Sequence, residues 1–272
     1  MAMKKIVLTI TLLAAIAVGC APKPTLNLEP TPDINVVVAT MMAATLTAVA
    51  PTPVPPTDTP ALIPTPTELP PGTLNEEFAP DFVFPNPDWS APYDATDPMG
   101  DKKHTFAINV IPDFLQIDLP DAETYVYTFY NKEMPADVVI ESGYLINGSQ
   151  SSEAAVVCRK DVNSPTPTWY EFRVDHYERA GIIYYFNRKD PYNNPYQRLA
   201  YAKLPVELFK DRENRIQAIC KGNKLSLIVN GEPTTSVEDT KLPGAGLVGL
   251  GGFVHKQIPL NVQFNYMHVS PQ

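Results

Sequence analysis

Positive charge is scarce in this chain: 21 Lys and Arg stand against 30 Asp and Glu in 272 residues, a formal charge of -9. Nucleic-acid binding needs a clustered positive field that releases phosphate counterions, so this balance excludes it, together with a basic membrane-surface patch. Histidine is sparse too. His104, His176, His255 and His268 are scattered without paired ligand spacing, and no zinc site, other metal or cofactor is expected. Asp94, Asp97 and Asp101 match no EF-hand spacing and read as a solvated loop. Apolar stretches are also short: Ile6 to Val18, and the stretch that ends at Pro51, fall below the roughly 20 residues of a comfortable membrane-spanning helix. Proline is the excess: 30 residues, about twice the roughly 5% average usage.

The N-terminus places the protein. Lys4 and Lys5 precede an apolar run from Ile6 to Val18 and then Gly19 and Cys20, the layout of a cleaved export signal. The tetrad Ala17-Val18-Gly19-Cys20 resembles the lipobox of bacterial lipoproteins, with Ala17 where Leu is commoner. That resemblance implies removal of residues 1–19 and acylation of the Cys20 thiol, with membrane lipid as the partner. Several acyl chains meet the need for at least two anchoring signals. The implied location is the outer face of the cell membrane or an outer membrane.

Residues 20–72 read as a disordered tether. They hold 13 of the 30 prolines, with many threonines, as in Pro51-Thr52-Pro53-Val54-Pro55-Pro56. Proline fixes φ and removes a donor, so the stretch favours extended polyproline II and serves as a semi-rigid spacer. Between the proline runs, residues 33–50 start on an N-cap candidate, Asp33, and stop before Pro51, which predicts a short helix.

From residue 73 to 272 the pattern is all-β. Strand-length apolar runs recur at His104 to Val110, Phe114 to Leu119, Thr124 to Tyr130, Ala136 to Glu141, Glu153 to Arg159 and Tyr170 to Asp175. Others follow at Ile182 to Asn187, Arg198 to Lys203, Arg215 to Lys221, Lys224 to Asn230, Gly246 to Gly251 and Val262 to Val269. Short strands punctuated by Pro, Gly, Asn and Asp predict an antiparallel sandwich or barrel. Asn230-Gly231 is a two-residue hairpin signal, and Lys221-Gly222-Asn223 marks another turn.

The run Asn214-Arg215-Ile216-Gln217-Ala218-Ile219-Cys220-Lys221-Gly222-Asn223-Lys224-Leu225-Ser226-Leu227-Ile228-Val229-Asn230-Gly231-Glu232 resembles the central hairpin of concanavalin A-like, laminin-G-like jelly rolls. Gly246-Leu247-Val248-Gly249-Leu250-Gly251 is similar to that family's glycine-flanked strand, and Val262 to Val269 to its closing strand. The resemblance implies an antiparallel jelly-roll sandwich, a fold that hosts many functions. With Cys20 acylated, Cys158 and Cys220 form an even pair in an exported protein. The resemblance makes their strands neighbours, so a disulfide is expected.

Chemistry is read less directly. Some jelly rolls are retaining glycosidases with Glu-x-Asp-x-x-Glu on one strand, but the nearest match here, Arg173-Val174-Asp175-His176-Tyr177-Glu178, puts Arg173 at the nucleophile. Glu171 and Asp175 share a strand face roughly 13 Å apart, too far for two catalytic carboxylates. Ten aromatics lie between residues 169 and 201. Most are expected in the core, while Tyr192, Asn193, Asn194 and Tyr196 sit in a polar turn suited to stacking on a sugar and bonding its hydroxyls. Arg159 fits either a ligand contact or a structural ion pair. The expectation is a non-catalytic binding module for a glycan or envelope polymer. Its alternatives are a glycoside hydrolase-like enzyme, which needs two acids meeting in a groove, and a protein-binding adhesion or structural protein, which needs an exposed apolar patch.

Overall fold

Alternation of apolar side chains accounts for most of the strands. A computed structural model describes residues 69–96, 104–148, 151–190, 193–256 and 258–272. The signal peptide, Cys20, the tether up to residue 68 and the helix expected over 33–50 lie outside the described residues, as do Asp97, Asp101 and Tyr192. The described residues contain sixteen strands and no helix. In order these are β1 Leu74–Glu77, β2 Tyr93–Asp94, β3 Ala107–Ile111, β4 Phe114–Leu119, β5 Thr124–Phe129, β6 Val138–Gly148, β7 Ser152–Lys160 and β8 Thr168–Asp175. There follow β9 Ala180–Asn187, β10 Tyr196–Lys203, β11 Asn214–Lys221, β12 Lys224–Val229, β13 Glu232–Glu238, β14 Leu247–Val254, β15 Leu260–Phe264 and β16 Tyr266–Pro271.

They form two antiparallel sheets. One has nine strands along β13-β12-β11-β6-β15-β4-β3, with β16 pairing β6 and β1 pairing β16; the other has seven, in the order β10-β9-β8-β7-β14-β5-β2. The expected antiparallel sandwich is the observed fold. Its core lies between the sheets. Leu115, Ile117 and Leu119 of β4, Ile216, Ala218 and Cys220 of β11, and Leu225, Leu227 and Val229 of β12 face Val156, Phe172, Ile183 and Leu250 of the other sheet in one cluster. Each such side chain removed from water stabilises the fold by about 1.5–3 kcal/mol before its lost entropy is counted.

Both expected turns are present. Asn230 and Gly231 have φ of 51° and 85° between β12 and β13, as a two-residue hairpin requires, and Gly222 has φ of 54° between β11 and β12. The single strand expected from Val262 to Val269 is broken at Asn265. Its backbone N–H donates to Gly143 and its carbonyl accepts from Phe78, turning the chain from β15 to β16. Strand β13 went unforeseen because Glu232-Pro233-Thr234-Thr235 is polar and holds a proline. It lies on the sheet edge, where a missing ladder donor is tolerated.

Cys158 and Cys220 are joined across a sequence separation of 62. Their strands are neighbours across the core and not within one sheet: β7 belongs to the seven-stranded sheet and β11 to the nine-stranded one. The bond crosses the core and ties one sheet to the other, because both side chains point inward from facing strands.

The sheets differ in how they meet solvent. On β4, β12 and β15 buried residues alternate with partly exposed or exposed ones, the mark of one covered face. On β8 and β14 every residue is buried. The outer face of the seven-stranded sheet is therefore also covered.

Candidate functional site

That outer face is paved with rings. Trp169 of β8, Phe186 of β9, Tyr127 and Phe129 of β5, and Leu247 of β14 form a second buried cluster, distinct from the core between the sheets. Two glycines make the paving fit. A Cβ on Gly251 would come within 2.5 Å of the Tyr127 ring, and one on Gly249 within 2.7 Å of the Phe129 ring. With small β14 residues beneath it, Tyr127 reaches across to β8, and its hydroxyl donates to Glu171 at 2.9 Å. Trp169 and Phe186 stack at 3.7 Å beside it.

Strand alternation then sets a charged row on the same face: Glu171, Arg173 and Asp175 project outward while Tyr170, Phe172 and Val174 fill the core. Arg173 is 2% exposed. It donates through Nε to Glu171, through Nη1 to Glu153 of β7 at 2.7 Å, and through Nη2 to the Tyr127 hydroxyl at 3.3 Å. Its guanidinium carbon lies 4.3, 4.6 and 4.7 Å from the ring centres of Tyr196, Tyr184 and Tyr125, within cation–π range. Burial alone would disfavour the charge, but the Glu171 and Glu153 carboxylates raise the Arg173 pKa well above its ordinary value. Burial pushes Glu153 upward, yet Arg173 and His255 bring it below the usual carboxylate range. The Tyr125 and Tyr196 phenols are pushed up, chiefly by burial, and stay neutral.

Above this layer opens a cavity of about 520 Å³. Tyr125, Tyr184, Tyr196 and Phe253 line it with ring surface, and Arg173, Arg188, Asn193, Asn194 and His255 add polar groups. Tyr125, Tyr184 and Tyr196 are each partly exposed, and Asn193 and Asn194 are exposed. Another cavity, about 550 Å³, is lined by Ile146, His176, Arg179 and residues 207–211 and has a single ring, Phe209, apart from the His176 imidazole. The first combines an apolar lining with converging polar groups, as small-molecule sites do.

Of the residues singled out from sequence, Asn193, Asn194 and Tyr196 meet at this cavity. Their roles differ in detail. Asn194 accepts the Tyr196 backbone N–H at 3.0 Å and Asn193 donates to Asp190, so both amides shape the turn, while Tyr196 presents its ring and shares a hydroxyl contact with Tyr127 at 3.0 Å. Arg159 is elsewhere. Its φ of 51° and the register shift between Leu247 and Gly249 mark a bulge that turns its side chain off the paved face. The guanidinium donates to the carbonyls of Ala136, Leu242 and Gly222 at 2.7, 2.9 and 2.9 Å and to Asp137 at 3.2 Å. Arg159 thus occupies the structural one of its two alternatives. Sequence reasoning missed Arg173, Tyr125, Phe253 and His255 as cavity residues. The signal available was the alternation Glu171-x-Arg173-x-Asp175, charged residues at every second position of a strand otherwise apolar.

No protein-family model matches the chain, and no curated protein matches it. Solved structures do. A prokaryotic beta-1,3-1,4-glucanase (lichenase) derived from a mouse hindgut metagenome aligns with TM-score 0.52 at 10% identity, over 74% of this chain and 99% of its own. The Ca2+/Man-bound exoplasmic/lumenal domain of VIP36 aligns with TM-score 0.51 at 8% identity, over 74% and 90%. A Bacillus subtilis protein of unknown function with a galectin-like fold aligns with TM-score 0.50 at 10% identity, over 73% and 98%. At such identities the likeness is one of fold: a concanavalin A-like, galectin-like jelly roll.

Proposed function

We propose that this chain is an exported protein, fastened to membrane lipid through Cys20, whose jelly roll holds a glycan or envelope polymer in the aromatic cavity beside Arg173 without cleaving it. The carrying observation is the cavity itself, about 520 Å³ with Tyr125, Tyr184, Tyr196 and Phe253 around it and amide and cationic groups at its edge. Ring faces accept the C–H surface of a pyranose, and polar edges sort its hydroxyls. A jelly roll shared with a named glucanase and a mannose-bound lumenal domain supports the same ligand class.

The carboxylates support binding over hydrolysis: among the described residues lining the cavity Glu123 is the one acid, whereas glycoside hydrolysis takes a pair. Glu171 is fully buried and accepts from Arg173, from Tyr127 and from the Trp169 indole at 3.4 Å. A nucleophile or general acid must reach the glycosidic bond, and this carboxylate is covered on every side described. Detergent-solubilised full-length protein applied to a glycan array should retain a restricted set of glycans, and Tyr196→Ala should weaken the best of them about tenfold, or about 1.4 kcal/mol. An array with nothing above background refutes the reading, and release of reducing sugar from a polysaccharide replaces it with a hydrolase. Fatty-acid labelling that is absent from the wild type refutes the anchor.

A further inference from the structure

Glu153, Asp175 and His255 come from β7, from β8 and from the residue after β14, far apart in sequence. Each nonetheless offers a donor atom within 4.8 Å of the other two. The two carboxylates are each held by a further contact. Arg173 Nη1 holds Glu153 Oε2 at 2.7 Å, which turns Oε1 toward His255 Nε2 at 2.9 Å. The Glu178 backbone N–H holds Asp175 Oδ1 at 2.8 Å. Asp175 is only 4% exposed, and its carboxylate accepts that backbone N–H while making no close ion pair with a Lys or Arg among the described residues. The His255 ring is oriented edge-on by Phe253 at 4.3 Å, and its backbone N–H by Ser151 at 2.9 Å. Such outer contacts are what fix metal-binding side chains in place.

Charge points the same way. Around this corner lie three buried carboxylates, those of Glu171, Glu153 and Asp175, and Arg173 pairs with the first two. With His255 neutral the group has two negative charges in excess, which one divalent cation balances. Access exists as well: the His255 side chain is 37% exposed and, with Asp175 and Tyr177, borders a cavity of about 360 Å³.

We propose that Glu153, Asp175 and His255 bind one divalent transition-metal ion of the zinc or cobalt type through one carboxylate oxygen each and the imidazole, with its remaining position open to that cavity. One imidazole and two carboxylates suit such an ion better than calcium, which prefers six to eight oxygens. Ligand atoms bonded at about 2.0–2.1 Å to a tetrahedral ion lie roughly 3.3 Å apart, so the His255–Glu153 contact need open only slightly. The expectation of no metal rested on spacing along the chain. Three strands supply what that spacing lacks.

The site is tested without any glycan. Full-length protein stripped with EDTA is titrated with Co2+, followed by visible absorption, and with Zn2+, followed by calorimetry. One ion per chain is expected, with at least tenfold weaker binding in His255→Ala and in Asp175→Asn, each checked by circular dichroism. His255 is partly exposed, so its variant keeps the test open if Asp175→Asn does not fold. Absence of stoichiometric uptake, several weak ions in place of one, or wild-type affinity in His255→Ala overturns the proposal.

Discussion

Opening the Cys158–Cys220 bond should cost this domain a large part of its stability. The bond closes a loop of 62 residues and joins the two sheets through the core. In the chain-entropy treatment a loop of that length restricts the unfolded ensemble by about 4 kcal/mol at 25 °C. Both cysteines are fully buried, so reduction is best done during unfolding, with urea titrations in parallel with and without dithiothreitol. At a urea slope of about 2 kcal/mol/M the midpoint should fall by roughly 2 M. Reduction keeps both sulfur atoms in the core and creates no cavity, which isolates the loop-closure contribution. The double variant Cys158→Ala with Cys220→Ala should fall further, because buried volume is lost as well. A midpoint shift under roughly 0.5 M on reduction would refute the argument, since loop closure would then contribute little.

Gly251→Val places side-chain atoms where the Tyr127 ring lies, within 2.5 Å of its new Cβ; overpacking of this kind costs about 1–3 kcal/mol, and thermal unfolding should show the loss together with weakened glycan retention. Arg159→Ala should lower stability by about 3 kcal/mol in denaturant titrations, since three backbone carbonyls lose their donor. Glycan affinity should stay unchanged, and a selective loss of binding with stability intact would return Arg159 to the ligand.

Much of the fold was legible because the nine-stranded sheet is covered on one side. Leu115, Ile117 and Leu119, or Leu225, Leu227 and Val229, repeat every second residue, and their strands could be bounded from sequence. The Asn230-Gly231 hairpin was equally direct, since the turn chemistry is local. The seven-stranded sheet was harder. On β7, β8 and β14 both faces are buried, so apolar character no longer separates inside from outside, and the polar row Glu171, Arg173, Asp175 was weighed only as a catalytic motif. Arg159 misled for a related reason: a bulge reverses which face a side chain takes, and nothing in Cys158-Arg159-Lys160 announces a positive φ. Tyr196 was found because it belongs to a turn rich in Pro and Asn. Its companions Tyr125 and Phe253 come from strands distant in sequence, and only the pairing order brings them together.

The ring pavement on the outer face also shapes how this protein can change over generations. Tyr127, Phe129 and Trp169 support the cavity and seal a second dry layer, so variation there risks collapse before it alters taste for a ligand. Change is easier at the margin, at Glu123 and Arg188, whose side chains line the cavity outside the buried clusters. Divergent descendants should therefore keep their floor and differ at the brim.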